Sequence, residues 1–303
     1  MKTILVTGSN GLLGHKITEA VLSAKQFNLV ATSKGLNRFK VGTGYQYAEM
    51  DVLNPIEVRA VVEKYKPDVI INTAALSNVD QCAANKELAY QLNVASVHTL
   101  VEICSEYNIQ LIHLSTDFIF DGENGPYSEL DVPHPLSYYG GTKLEAEEVV
   151  KNSQCKWAIL RTVLVYGVIS DKNRGNIVLW AKGALERGEA IKVVNDQWRT
   201  PTLVDDLAAC CLLAAEKDAY GVYHVSGKDM MSVADLVYTV ADFWRLDKNL
   251  ITELSSASLN EKDKRPMRTG FVLDKAIKEL GYAPHSFAEG LAMMDRQLLT
   301  RDL

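Results

Sequence analysis

Tyr139 and Lys143 stand four residues apart in the run Tyr139-Gly140-Gly141-Thr142-Lys143. On a helix that spacing puts a phenol and an ammonium on one face, where the two side chains converge. An ammonium beside a phenol favours the phenolate and brings a pKa of about 10 toward the range where the group gives and retakes a proton. Upstream, Leu111-Ile112-His113-Leu114 is an apolar run ending in Ser115-Thr116-Asp117. The carboxyl end of such a strand is where open parallel sheets hold ligands. A hydroxyl there, Thr116, can donate to a carbonyl oxygen and polarise it. A proton donor, a cation that tunes it and a donor for an oxygen gaining charge are the protein's share of ketone reduction.

The remaining share is a hydride, and the N-terminus carries a loop suited to its carrier. Gly8-Ser9-Asn10-Gly11-Leu12-Leu13-Gly14 follows a short strand and opens a helix that runs from Leu12 to Leu22. The glycines let the backbone turn tightly against a pyrophosphate, whose charge is met by free N–H groups and the positive end of the helix. The spacing is GxxGxxG, and the strand before it and helix after it make it a dinucleotide loop. At the end of the second strand, where an acidic residue would hold the ribose diol of NADH, the chain has Ser33-Lys34, with Arg38 and Lys40 soon after. A hydroxyl and cations suit a 2′-phosphate. The expected cofactor is therefore NADPH, with NADH as second choice.

Short apolar runs at Thr3–Val6, Leu29–Thr32, Val69–Asn72, Gln110–Leu114 and Ala158–Val163 alternate with helical-period stretches. That alternation predicts parallel strands joined by helical crossovers, an α/β doubly wound Rossmann sheet. Val222–Val225 returns the chain to a sheet edge. Beyond Ser226-Gly227 the pattern is mostly helical, with Val233–Phe243 and Leu273–Leu280 the clearest segments and Pro266 and Pro284 as breakers. The expected organisation is a dinucleotide-binding domain from residues 1–168 and about 200–226, with a smaller helical substrate lobe from about 169–199 and 227–303.

Of the 303 residues, 47% are hydrophobic and 23% charged, enough for a large buried sheet. A net charge of -6 without a local basic patch argues against a nucleic-acid partner. Five cysteines without CxxC or Cys/His spacing suggest neither a disulfide framework nor a metal site, and fit a reducing compartment. No signal peptide is read, and no segment approaches the roughly 18 apolar residues of a membrane span. A cytoplasmic enzyme, monomeric or homodimeric, is the expectation.

In order along the chain, Gly8–Gly14, Asn72-Thr73-Ala74-Ala75, Val79-Asp80, Leu92-Asn93-Val94, Ser115-Thr116-Asp117, Tyr139 with Lys143, Arg161-Thr162, Tyr166-Gly167, Asp196-Gln197 with Pro201-Thr202, and Arg265-Pro266 form a set. This set resembles the dTDP-4-dehydrorhamnose reductase family of extended short-chain dehydrogenases. The resemblance implies reduction of dTDP-4-dehydro-6-deoxy-L-mannose to dTDP-L-rhamnose by NADPH, with Thr116, Tyr139 and Lys143 as the catalytic triad. It implies that Gly8, Asn10, Gly11, Leu12, Gly14, Ser33, Lys34, Tyr139 and Lys143 hold the cofactor. Asp51 and Val52 would meet adenine, Ala74 and Ala75 the cofactor backbone, and Asn93 would set the geometry behind the site. Val79, Asp80, Thr116, Asp117, Asn176, Gln197, Arg199 and Arg265 would face the nucleotide sugar.

The chain departs from that family at three places. Leu164 stands where an aromatic often packs on the substrate, Arg199 replaces the glycine of DQxGxPT, and Arg265-Pro266-Met267-Arg268-Thr269 replaces RPxNS. Arginines suit a diphosphate through bidentate bonds, so Arg199, with Arg265 or Arg268, is expected to grip the linker. Phe118 takes the place of the glutamate that related dehydratases use, which argues against elimination; Ser33 and Lys34 argue against a tightly held NAD, as in epimerases, though another sugar-nucleotide reductase or epimerase stays in view. The alternative from another class is a noncatalytic NADP-binding regulatory subunit like the methionine adenosyltransferase beta subunit, which is similar to the same family. His113 and His224 lie in apolar runs and read as core histidines. Trp157, Trp180 and Trp244 read as packing residues, while Trp198 is placed to cover a base.

Overall fold

The computed structural model describes residues 1–39, 43–169, 175–258 and 264–301. Its centre is a parallel seven-stranded sheet, and the alternation of side chains within each strand explains its two coats. The strands are β1 Thr3–Thr7, β2 Asn28–Ser33, β3 Gln46–Glu49, β4 Val69–Asn72, β5 Gln110–Thr116, β6 Trp157–Thr162 and, after four short strands (β7 Val165–Tyr166, β8 Ile191–Val194, β9 Trp198–Arg199, β10 Thr202–Leu203), β11 Gly221–His224. Their order across the sheet is β11-β6-β5-β4-β1-β2-β3. All of its neighbouring pairs are parallel.

Ile4, Val6, Ile71, Ile112 and Leu160 point to one face, where they meet α1 (Leu12–Ala24) and, from further along the chain, Val204–Glu216. Leu5, Val30, Ile70, Leu111 and Ile159 point to the other, against α2 (Pro55–Tyr65), Ser96–Tyr107 and Tyr138–Lys151. A period of two in strands covered on both faces is what puts isoleucine, leucine and valine on successive positions. Each fully buried side chain of this kind contributes about 1.5–3 kcal/mol by leaving water. The short helices α3 (Val79–Ala84) and α4 (Lys86–Tyr90) precede α5 (Ser96–Tyr107) and α6 (Tyr138–Lys151).

A separate apolar cluster belongs to α7 (Ile177–Glu186), α9 (Val233–Trp244) and α10 (Phe287–Arg301), with α8 being Val204–Glu216 on the sheet. Two further short strands lie in this part of the chain, β12 Met231–Ser232 and β13 Ile251–Leu254. The pair β8 and β13 runs parallel beside these helices. This is the smaller, mostly helical lobe on a doubly wound α/β fold. One sheet strand, β3, has no counterpart among the apolar runs: Gln46-Tyr47-Ala48-Glu49 is the sheet's outer strand, half exposed, and needs no continuous apolar stretch. Among the described residues no helix is long and apolar enough to cross a membrane.

Candidate active site

Thr116 ends β5 and Tyr139 sits in the first turn of α6, and two local features bring them together. Ser137 caps α6, its Oγ accepting from the Gly140 N–H at 3.1 Å, which fixes where the helix starts. Gly140 lets that first turn lie directly on the chain after β5, since a Cβ there would stand 2.1 Å from the Phe118 carbonyl oxygen. Tyr139 is buried, its ring edge-on to Phe118, and the nearby Thr116 hydroxyl favours its phenolate. Burial pushes this phenol above its ordinary value; the Thr116 hydroxyl opposes that, and the nearby Asp117 charge adds to it.

The expectation that Lys143 draws the phenol downward is therefore not what this geometry gives. Lys143 is buried one turn further along α6, and its Nζ lies 3.1 Å from Nε2 of His113 on β5. Burial brings the Lys143 amine down to about 8, against an upward pull from Glu147. Phenol and amine are both pushed toward their neutral forms by the loss of water.

The glycine turn lies across the sheet at the end of β1. Gly8 has a φ of +68°, and a Cβ on Gly14 would stand 2.6 Å from the Gly8 carbonyl oxygen, so the loop closes only with glycine. Gly11 precedes α1 without a side-chain cap, and the buried Ser9 Oγ has no hydrogen-bond partner. Asn10 ties the turn to the chain after β2, donating to the Leu36 carbonyl and accepting from the Arg38 N–H. Leu12 opens α1, and the Ala74 N–H points at Thr7 Oγ1 at 3.3 Å, with Ala75 exposed beside it. These are the parts of a cradle for a dinucleotide pyrophosphate: uncapped N–H groups, close-packed glycines and an unused hydroxyl. Ser9 was not singled out from sequence, although its place between Gly8 and Gly11 is the signal for it.

Ser33 ends β2, and the exposed Lys34 after it pairs with Asp51 at 2.7 Å, the pair raising the lysine and lowering the carboxyl, with Val52 buried alongside. A candidate for the 2′-phosphate and one for adenine thus face each other. Lys40 lies outside the described residues. Asn93 is in a π-helical turn, Gln91–Ala95, where it accepts from the Leu76 N–H and donates to the Leu76 carbonyl and to Thr142 Oγ1. It locks the chain after β4 to the helix that carries Tyr139.

The substrate candidates separate into three groups. Val79 and Asp80 open α3, and Asp80 pairs with Arg265 at 3.1 Å, joining sheet and lobe. Asn176 caps α7 and donates to the Gly167 carbonyl, so its polar atoms are engaged with backbone. Asp117, Gln197 and Arg199 cluster beside Thr116, all buried. Arg199 is not a surface arginine: it donates to the carbonyls of Trp198 and Pro266 at 2.7 Å each and its Nε lies 3.8 Å from Asp117. Gln197 turns its oxygen to Arg199 and leaves a buried Nε2 donor with no partner. Arg268 stacks over the half-exposed Trp198 ring. Leu164 holds a φ of +38°, unusual for a residue with a side chain.

The description of the family that matches residues 1–299 is "RmlD substrate binding domain". The dTDP-4-dehydrorhamnose reductase of Aggregatibacter actinomycetemcomitans is 29% identical over 96% of this chain and 97% of its own length. Methionine adenosyltransferase 2 subunit beta of Xenopus laevis is 31% identical over 80% of this chain and 72% of its own. The solved structure of Bacillus anthracis dTDP-4-dehydrorhamnose reductase in complex with NADP superposes with a TM-score of 0.83 at 26% identity, covering 98% of this chain and 99% of that one.

Proposed function

The chain belongs to the RmlD substrate binding domain family, and from that membership and the site at the ends of β1 and β5 we propose that it is an NADPH-dependent reductase of a 4-keto sugar nucleotide. The observation that carries the reading is Tyr139: a buried phenol, kept protonated by its surroundings, beside Thr116 at the carboxyl edge of the sheet. A group that must deliver a proton to a developing alkoxide is best held in its acid form until the negative charge appears.

The residues of the glycine turn fit a dinucleotide, the close-packed Gly14 and the unpaired Ser9 hydroxyl being the features that a pyrophosphate would use. When bound, NADPH supplies the hydride. The chain's own part is then positional and protic. Gly8, Gly11, Gly14 and the first turn of α1 hold phosphate, and Ser33 with Lys34 faces the 2′-phosphate. Thr116, whose one proton lies on Asp117 in the free enzyme, turns it to the carbonyl oxygen of the substrate, and Tyr139 gives that oxygen its proton as charge builds on it. Asp80, Asp117, Gln197 and Arg265 orient the nucleotide sugar, with Arg199 bracing Asp117 from behind.

The finer reading names dTDP-4-dehydro-6-deoxy-L-mannose as substrate and dTDP-L-rhamnose as product, supported by the reductase of A. actinomycetemcomitans. A second reading, a noncatalytic regulatory subunit, is favoured by the Xenopus relative; the complete set Thr116, Tyr139 and Lys143 speaks for turnover. The deciding experiment is NADPH oxidation with that 4-keto sugar nucleotide by wild type and Tyr139→Phe. Turnover that drops about 10²-fold or more in the variant while NADPH still binds supports the reductase. NADPH binding without turnover on any 4-keto sugar nucleotide, together with a copurifying larger partner, supports the regulatory reading instead.

A further inference from the structure

Lys143 is held by a hydrogen-bonded row that crosses three strands under α6. The sheet register pairs Thr7 with Asn72 and Asn72 with His113, and all three point to the α6 face. Thr7 Oγ1 and Asn72 Oδ1 are 2.6 Å apart, Asn72 Nδ2 and His113 Nδ1 are 3.2 Å apart, and His113 Nε2 and Lys143 Nζ are 3.1 Å apart. Every member of the row is buried.

The chemistry of the donors ties a charged Lys143 to one arrangement of this row and opens a second to the free amine. An ammonium has three donors and no acceptor, and a neutral imidazole has one of each. If Lys143 is charged, Nε2 must accept from it, the ring proton is on Nδ1, and the oxygen of the Asn72 amide must face that proton. The free amine gains a lone pair, so Nε2–H can then donate to it while Nδ1 accepts from the Asn72 amide nitrogen and Thr7 donates to the amide oxygen. A half-turn of one amide and one tautomer exchange separate the two. The imidazole itself stays neutral, since burial and then the Lys143 charge hold His113 well below its ordinary value.

We propose that His113 is a positioning residue for this reaction, its Nε2 holding the Lys143 nitrogen in place on α6 while the tautomer of the ring follows the charge which that nitrogen carries. The inference rests on the reductase reading for its catalytic consequence. A lysine that loses its acceptor loses the bond that favours the ammonium, so the fraction charged at neutral pH falls. The titratable groups around the pair are Tyr139 and Glu147 on α6, Asp117 beyond β5, Arg161 on β6 acting on Glu147, and Cys82 on α3 against Tyr139. Among the bonds described none of these meets Lys143 Nζ, whereas His113 does.

The test uses the full chain without cofactor or substrate. Lysine labelled at Cε and histidine labelled in the ring are followed by NMR against pH, the Lys143 and His113 signals being assigned from Lys143→Met and His113→Gln. The proposal expects the His113 proton to move from Nδ1 to Nε2 through the pH range where Lys143 loses its charge. His113→Leu should move the Lys143 transition down by about one pH unit, tenfold in the proton equilibrium. His113→Gln, whose side-chain oxygen reaches the Nε2 position, should restore it to within about threefold. The basic limb of NADPH oxidation should move with the transition, whereas a merely structural role would lower activity evenly at every pH. A ring that keeps one tautomer throughout, or a Lys143 transition unmoved in His113→Leu, overturns the proposal. The tautomer measurement on wild type decides alone if the leucine variant does not fold. Absence of any NADPH oxidation counts against the reductase reading and leaves these NMR outcomes intact.

Discussion

Arg161 lies bidentate on Glu147, Nε to Oε1 at 2.9 Å and Nη2 to Oε2 at 2.7 Å, with both side chains buried one helical turn beyond Lys143. Burial pushes the Glu147 carboxyl up, but the bonds and charge of Arg161 outweigh it and hold the group below its ordinary value. The same guanidinium stacks over Phe120 and lies 3.2 Å from His224 Nε2, so α6 is fastened to β6 and β11 by one cation. Arg161→Met should cost about 3–5 kcal/mol, because it leaves a buried carboxylate short of its main partner. Urea unfolding measures this, and the double variant Arg161→Met/Glu147→Leu should recover much of the loss. A single variant as stable as wild type would mean that Lys151, 3.2 Å from Glu147, suffices as partner.

Thr269 donates to Asp117 Oδ2 from the lobe side, while Thr116 donates to Oδ1 at 3.1 Å from the sheet side. One carboxylate thus ties the lobe to the residue proposed to polarise the ketone. Burial raises the Asp117 carboxyl, with Arg199 opposing. Asp117→Asn removes charge and keeps shape. It should raise KM for the sugar nucleotide and lower kcat, because the carboxamide has one acceptor oxygen for the two hydroxyls, Thr116 and Thr269, that the carboxylate accepts from, while Thr269→Val should raise KM alone. Steady-state kinetics on both variants separates the two effects; equal losses of kcat in each would place Thr269 nearer the chemistry than proposed.

His224 predicts an acid limit to stability. Burial first and the Arg161 charge second bring it from 6.5 to about 3. The unfolded chain therefore binds a proton that the folded chain refuses as pH falls below about 6.5, and this continues down to about 3. Stability is lost on acidification across that window at up to ~1.4 kcal/mol per pH unit for this one group. Urea midpoints measured from pH 7 to 4 should fall less steeply in His224→Gln than in wild type. Parallel slopes would assign the acid sensitivity elsewhere, with His113, which is depressed by the same cause, the next candidate.

The placing of Thr116 at a strand end and of Tyr139 with Lys143 on one helix was legible because both are local signals, and the five apolar runs gave five of the seven sheet strands for the same reason. The role of His113 was hidden: one imidazole in an apolar run reads as core, and only the register of β1, β4 and β5 sets it in line with Thr7 and Asn72. Arg199 was expected to grip a diphosphate linker, and its hold on backbone was hidden in the same way, since the carbonyl of Pro266 that it meets comes from 67 residues further along the chain. The outer strand β3 gave no apolar run because its side chains stay half in water. What the sequence conceals here is partnership across distance, and the lowering effect expected from Lys143 on Tyr139 failed on that ground, because the lysine is held by a strand residue instead.

Lys34 carries the last prediction. Its ammonium is exposed, follows the end of β2 and is paired with Asp51 at 2.7 Å, so its charge is already shared when a cofactor arrives. A 2′-phosphate brings more negative charge than one carboxylate and accepts more hydrogen bonds, so it should draw the lysine away from Asp51. Lys34→Ala should then raise the KM for NADPH by about tenfold and leave that for NADH nearly unchanged, the size expected of one charge-assisted bond at a site open to solvent. Asp51→Asn should do the reverse on the phosphate side, lowering the KM for NADPH severalfold by freeing the lysine. The two variants distinguish a cofactor contact from a surface pair, because loss of a surface pair alone would shift both cofactors equally or neither.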